Sequence, residues 1–184
     1  MRTLIFAINL TIDGNCDHTK MLANDEIYDF YTPLLRDTDL LLYGRKTYQL
    51  MVPFWPDVAK AQSMSKPANA FAQVFASIPK LVVSQSLSSV EDKNTTILRT
   101  NLQDEIQKLK RQPGKNIMTG GVTLPSQLMK LGLIDEYRFL IHPVIAGEGT
   151  RLLEGIPPQE RFQLTLAESK TFKSGCVALR YVKQ

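Results

Sequence analysis

Cysteine is scarce. Cys16 and Cys176 are the only two in 184 residues, too few for a disulfide scaffold or a four-cysteine zinc site, and they suit a reducing compartment. Histidine is equally thin, with His18 and His142 alone, so this spacing organises no metal cluster. No stretch approaches the roughly 18 consecutive apolar residues of a membrane-spanning helix. The opening MRTLIFAINLTIDG sets one cation before an apolar run, but Asn9, Thr11 and Asp13 interrupt it and no small-residue cleavage pattern follows. It reads as a first strand, and a cytoplasmic protein is expected.

Strong charge of one sign is also missing. The 22 basic and 18 acidic residues leave a net +4, and the two signs are mixed along the chain. That is a mild attraction for phosphorylated small molecules and no nucleic-acid footprint. Hydrophobic residues at 43% and charged residues at 22% fit a folded globular chain large enough to build its own core, expected as a single domain over residues 1–184. Several motifs are absent. There is no GxGxxG after the first strand, no GxxxxGK[S/T] and no GxSxG, which disfavours a standard Rossmann site, a P-loop and a serine hydrolase. His142 lies in an apolar run and reads as a core residue, and Cys16 lacks an evident base and reads as an ordinary thiol.

What is present is an alternation of strands and helices. Thr3–Leu10 reads as a buried strand with Leu4, Phe6, Ile8 and Leu10 on one face, and Asp13-Gly14 turns the chain. Asn24–Leu35 carries Ile27, Phe30, Tyr31 and Leu34 at helical spacing, with acids early and Asn24 as a possible cap. Leu40–Tyr43 is a candidate central strand, and Gly44-Arg45-Lys46-Thr47 opens a helix that Pro53, Trp55 and Pro56 are expected to stop. Residues 57–77 read as one excursion carrying a helix. Strands follow at Lys80–Val83, Thr95–Leu98 and Asn116–Thr119. A helix at Asn101–Arg111 has Asp104 four residues before Lys108, and a helix marked by Leu124, Leu128 and Leu131 follows Gly120-Gly121. The last third is β-rich, with Asp135–Pro143, Phe162–Glu168 and Thr171–Val182. Residues 146–150 make a flexible polar loop leading to Arg151, Leu152 and Leu153. An α/β sandwich with a mixed sheet is expected.

Two junctions have the form of an anion site, because a strand ends, small or polar residues follow and a helix begins. At Gly44-Arg45-Lys46-Thr47, glycine permits close approach, helix-start amides face a phosphate and Arg45 adds a forked cation. At Gly120-Gly121, the backbone is open to a bulky cofactor and Thr123 begins the helix. Either turn, read alone, is also an ordinary cap or turn.

The ordered set of IFAINLTIDG, DLLLYGRKTYQLM, KLVVSQS, NIMTGGVTLPSQLMKLGLIDE and YRFLIHPVIAGEGTRLL resembles the dihydrofolate reductase-like superfamily. It is nearest to the short bacterial members and to the reductase domain of the bifunctional riboflavin-biosynthesis deaminase-reductase. The resemblance implies a three-layer α/β sandwich with a mixed, mostly parallel central sheet and a C-terminal antiparallel hairpin. It implies an NADPH-dependent oxidoreductase that passes a hydride to a pteridine-like or pyrimidine-derived heterocycle or a similar small C=N or C=O substrate. By position, it places Ala7 beside the nicotinamide and makes Asp13–Met21 a mobile flap. Gly44, Arg45, Lys46 and Thr47 fall on the phosphate-bearing side of the cofactor. Ser84, Gln85 and Ser86 fall on the loop that receives the adenosine ribose phosphate, with Gln85 standing where some relatives carry arginine. Thr119, Gly120, Gly121, Val122, Thr123 and Leu124 form the double-glycine turn, often joined by a cis peptide. Arg45 with Ser84 favours NADPH over NADH, since a 2′-phosphate needs a cation and donors.

The catalytic group is less marked. The acid that folate-reducing relatives carry on the first helix falls here on Phe30 or Tyr28, neither of them acidic, so folate itself is disfavoured. Glu26 and Asp29 on the same helix, and Asp13 beside the nicotinamide position, are the candidate proton-handling carboxylates. Phe54 and Trp55 are candidate walls for a planar ring. A phosphoribosyl substrate needs a second cationic pocket, for which Lys20 and Arg36 are nominal candidates. No metal and no covalent nucleophile are expected, and a homodimer through late-strand or loop surfaces is. The rival reading is a nicotinamide-nucleotide-binding regulatory protein without turnover, and a third is a structural domain of a larger assembly.

Overall fold

The computed structural model describes residues 1–152 and 162–184. Leu153, expected at the end of the polar loop, lies outside them. The chain divides into two compact units, one of residues 1–2 and 23–118 and the other of residues 3–22 and 119–184.

In the first unit, helix α1 (Asp25–Arg36) leads to strand β2 (Thr38–Gly44), helices α2 (Arg45–Ala61) and α3 (Lys66–Ser77), strands β3 (Lys80–Val83) and β4 (Thr95–Leu98), helix α4 (Leu102–Arg111) and strand β5 (Asn116–Thr119). The strand order is β4-β3-β2-β5, with β2/β3 and β3/β4 parallel. Leu41, Leu42, Val82, Phe75, Ala72, Ile106 and Ile117 are fully buried, which is why these strands read as continuous apolar runs. The α1 start is as the sequence indicates. Asn24 accepts from the Ile27 amide, and Asp25 and Glu26 occupy the first turn, where the helix dipole favours them.

Helix α2 departs from expectation. It runs unbroken through Pro53, Trp55 and Pro56 to Ala61. Each proline removes a donor inside the helix at a cost of about 3 kcal/mol. Against this stand Tyr48, Val52, Trp55 and Val58, spaced three to four residues apart and all buried, each contributing about 1.5–3 kcal/mol. Trp55 meets Phe71 of α3 edge-on at 4.6 Å between ring centroids and Tyr28 of α1 at 5.7 Å, so three helices share one aromatic knot. Residues 57–77 thus hold the end of α2 and a separate helix, α3, capped by Ser65. In α4 the pairing also shifts. Lys108 lies 4.0 Å from Glu105, three residues back, while Asp104 accepts from the Asn101 side chain.

In the second unit, strand β1 (Leu4–Thr11) pairs in parallel with β6 (Glu136–His142), and β8 (Val177–Lys183) lies antiparallel between β6 and β7 (Leu164–Thr171). The expected C-terminal hairpin is therefore present, with residues 172–176 as its turn instead of the interior of a last strand. Helix α5 (Thr123–Lys130) buries Leu124, Leu128 and Met129. The class is α/β with mixed, mostly parallel strands. Among the described residues no helix is long and apolar enough to cross a membrane.

Candidate cofactor and substrate site

In the first unit, strand register builds a row of functional groups. Gly44 pairs with Val83, and Val83 with Leu98. The residues that follow, Arg45, Ser84 and Arg99, therefore leave three neighbouring parallel strands side by side at their carboxyl ends. That end of an α/β sheet is where ligands bind. Adjacent strands are about 4.8 Å apart, so the row spans roughly 10 Å.

Gly44 is the N-cap of α2 and has no side chain to offer the first amides. The first turn holds no acid, and Arg45 and Lys46 are exposed with no ion-pair or hydrogen-bond partner among the described residues. Two cations at the positive end of a helix dipole are unfavourable until an anion arrives. The contrast with α1, α3 and α4 is chemical, because Asn24, Ser65 and Asn101 cap those helices with side-chain oxygens. Ser84 is buried. Its hydroxyl accepts from the Leu87 amide at 3.0 Å and its own amide donates to the Leu98 carbonyl at 3.1 Å, while Gln85 and Ser86 are exposed. Arg99 was invisible to sequence reading because it lies 15 residues from Ser84. A cation one step past a β-strand that neighbours the serine loop is the signal that would find it.

In the second unit, Gly120-Gly121 leads into α5, whose N-cap Val122 also lacks a capping side chain and whose first turn also lacks an acid. Among the described residues every peptide bond is trans, so the cis link that often joins the two glycines in the family is not formed here, and the turn is made by Gly121 at φ +86°. Thr119, at the end of β5, has a buried hydroxyl with no hydrogen-bond partner among the described residues. An orphaned buried hydroxyl beside a glycine turn and an uncapped helix suits a ligand rich in acceptors. Thr123 opens α5, and Leu124 is part of its buried face. Ala7 lies mid-strand in β1 opposite Arg138.

Asp13 has a defined structural task. Its carboxylate accepts from the Thr11 hydroxyl at 2.6 Å, the Ala146 amide at 3.1 Å and the Gly147 amide at 2.8 Å. These bonds, the Thr11 hydroxyl first, hold its pKa down to about 2. A carboxyl ionised throughout the neutral range is a poor proton donor, and Asp13 acts as a clasp on residues 146–147. Asn15 extends that clasp, donating from its side-chain amide to the Glu148 carbonyl at 2.7 Å, and the Cys16 amide donates to Thr150 at 2.7 Å. The polar loop and the start of the expected flap are thus tied to each other. Because the folded pKa lies below the unfolded value of about 3.9, the clasp stabilises the fold above that value and is lost as pH falls toward 2. Asp13→Asn therefore melts below the wild type at pH 6, and the gap closes between about pH 4 and pH 2. Thermal melts across that range check it, and a gap independent of pH removes the clasp.

The other candidates separate by environment. Glu26 is half-buried and Asp29 exposed on α1. Tyr28 and Trp55 belong to the aromatic knot, and Phe54 lies at its rim, edge-on to Trp55 at 4.9 Å and 50% exposed. Arg36 precedes the amino end of β2, about 20 Å of strand away from Gly44, so it is removed from the phosphate row. Lys20 is exposed at the end of a 3-10 turn. Burial raises the Cys16 thiol to about 11, which keeps it from acting as a nucleophile. Register also sets Cys176 next to His142, Sγ to Nδ1 3.8 Å, a pairing that 34 residues of separation hide. Both are buried, and desolvation lowers the imidazole's pKa, so this is a core contact.

Comparison with known proteins gives the family and the fold. The family model described as the RibD C-terminal domain matches residues 2–178. The uncharacterized protein YyaP of Bacillus subtilis is 31% identical over 184 residues, covering 98% of this chain and 94% of its own. Among solved structures, a putative riboflavin biosynthesis protein from Shewanella sp. PV-4 superposes with a TM-score of 0.75 at 18% identity, covering 100% of this chain and 99% of its own. A pyrimidine reductase-like protein from Corynebacterium diphtheriae does so with a TM-score of 0.66 at 14% identity, over 100% of this chain and 92% of its own. With its α/β strand order and two glycine-led helix starts, the chain belongs to the RibD C-terminal domain family and has the dihydrofolate reductase-like fold.

Proposed function

We propose that the protein is an NADPH-dependent reductase of a small heterocycle, pteridine-like or pyrimidine-derived, or of a similar C=N or C=O compound. Family membership supports a reductase. The observation that carries the cofactor assignment is the opening of α2, an uncapped, acid-free helix start bearing two unpaired cations in register with the serine loop. When bound, the reduced nicotinamide supplies a hydride.

The protein's own part is binding, orientation and proton supply. Gly44, Arg45, Lys46 and Thr47 take phosphate oxygens through main-chain amides and cationic side chains, and Ser84, Gln85 and Ser86 take the 2′-phosphate. Taken by itself, the second unit offers its own donors to a phosphate-rich ligand, the Thr119 hydroxyl and the main-chain amides of Gly120, Gly121, Val122, Thr123 and Leu124, with the small side chain of Ala7 in β1. Asp13, committed to its clasp, holds residues 146–147 and leaves the proton to water or to Glu26 or Asp29. A pH profile of turnover for Glu26→Gln and Asp29→Asn separates these, because only the residue that donates shifts the limb that reports the acid.

Arg45→Ala weakens NADPH by about tenfold and NADH by less than about twofold, the loss of a charge-assisted bond to the extra phosphate. Fluorescence titration with both cofactors measures it, and equal losses remove Arg45 from 2′-phosphate recognition. Stopped-flow loss of NADPH absorbance against a panel of pteridines and pyrimidines tests turnover. Tight NADPH binding with no oxidation across that panel favours a regulatory binding protein.

A further inference from the structure

Strand β7 is the outer strand of its sheet, with β8 as its only neighbour, and residues 165–171 are all exposed, so no described residue covers them. A bare edge presents a row of main-chain donors and acceptors that templates a further strand, which is why edges carry charges or bulges. This edge has both. The register jumps between Leu166 and Glu168, leaving Ala167 as a bulge, and Lys170 stands in the flat stretch that follows.

The hairpin fixes which groups look outward. The Phe172 amide donates to the Cys176 carbonyl at 2.9 Å. Alternation along the strand then turns the amides and carbonyls of Glu168 and Lys170 toward their β8 partners Arg180 and Ala178, and those of Ser169 and Thr171 away from the sheet. Side chains alternate between the two faces, so Glu168 and Lys170 share one of them. The Glu168 side chain is 59% exposed, and its ion pair with Arg138 is long, at 4.0 Å. Lys170 lies 5.0 Å over the Phe172 ring and forms no ion pair among the described residues.

An antiparallel second copy meets this edge with its charges matched when the two-fold axis passes through Ser169. The two Ser169 residues then form a hydrogen-bonded pair, and Glu168 of each chain stands directly opposite Lys170 of the other. Those are non-hydrogen-bonded pairs, where Cα atoms are about 4.5 Å apart and side chains lie closest. Moving the axis to Glu168 or to Lys170 sets like charges against each other. The lysine that turns away a strand of unrelated sequence is thus answered by the chain's own glutamate. We propose that the outer edge of β7 is the docking surface for a second copy of this chain, joined antiparallel about a two-fold axis at Ser169 by two reciprocal Glu168–Lys170 pairs. The contact is isologous, as a two-fold axis requires, and short, since the bulge at Ala167 ends the flat stretch. It therefore makes a reversible dimer. The proposal does not depend on the reductase reading.

Sedimentation velocity across a concentration series tests it with wild type, Lys170→Glu, Glu168→Lys and Ser169→Pro, each checked for folding by thermal melting. Wild type is expected to shift from one chain to two as concentration rises, with weaker association at high salt. Each charge reversal is expected to raise the dimer dissociation constant by at least about tenfold. An equimolar mixture of the two reversed chains is expected to recover it to within about threefold, because every cross-strand pair is again of opposite sign. Ser169→Pro removes an outward amide at the axis without touching the ladder to β8, and is expected to abolish association. Lys170→Glu and Ser169→Pro decide the matter alone if Glu168→Lys, which sets a second cation beside Arg138, does not fold. A single chain at every concentration overturns the proposal. So does a dimer indifferent to Lys170→Glu or to Ser169→Pro, since it joins through another surface, and so does a mixture of two folded reversed chains that stays dissociated.

Discussion

Gly121→Val is expected to lose nicotinamide-cofactor binding by one to two orders of magnitude while the protein remains folded. Gly121 sits at φ +86°, where a side chain costs about 1–2 kcal/mol and a β-branched one is a genuine outlier. The turn escapes that strain by rotating the peptides that carry the amides of Val122 and Thr123, the donors that α5 leaves without a cap. Each 1.4 kcal/mol of mispositioned donors is about tenfold in affinity. Gly132→Val is the matched control. Gly132 has φ +64° just past α5, and its added Cβ would meet only the Lys183 ammonium at 3.4 Å. It carries comparable backbone strain with no donor at stake, so its melting temperature falls and its cofactor affinity holds. Equal losses of affinity in both variants would falsify a specific role for the Gly121 turn.

The largest effect on stability is expected at Trp55. Trp55→Ala opens a cavity among α1, α2 and α3 and removes the edge contacts with Tyr28 and Phe71, a loss of about 3–5 kcal/mol. For a chain of this size the melting temperature falls by roughly 10 °C. The same substitution removes much of the burial that holds α2 together across Pro53 and Pro56, so helical circular dichroism drops before the global transition. Phe54→Ala, by contrast, alters melting by less than about 2 °C, because that ring is half-exposed. A Phe54→Ala effect as large as that of Trp55→Ala would show that the knot is centred elsewhere.

Much of the layout is local and therefore legible. The strands at residues 80–83, 95–98 and 116–119 lie where their β-rich runs end in turn residues, and Asn24 and Asn101 start helices because a side-chain oxygen can reach an amide two or three residues on. The glycine turns at 44 and 120–121 are visible for the same reason, since a strand, small residues and a helix follow one another within a few positions. Pro53 and Pro56 misled because proline's penalty is local and the burial that offsets it comes from helices up to 30 residues away.

Within the site the same divide holds. Local chemistry marks Gly44, Arg45, Thr47, Gly120 and Gly121 as candidates for a phosphate site, since each depends on a turn or a helix end, while Ser84 is a candidate only through the family resemblance. Asp13 was open between chemistry and turn, and only the return of residues 146–147 to its carboxylate made it a clasp. The sequence by itself determined the order of strands and helices and the two candidate anion turns, because those follow from spacing and backbone freedom, and the ordered motifs carried the family resemblance. Tertiary structure alone decided that α2 crosses its prolines, that His142 meets Cys176 and that Arg99 lines up with Ser84, because each depends on strand register or packing between residues distant in the chain.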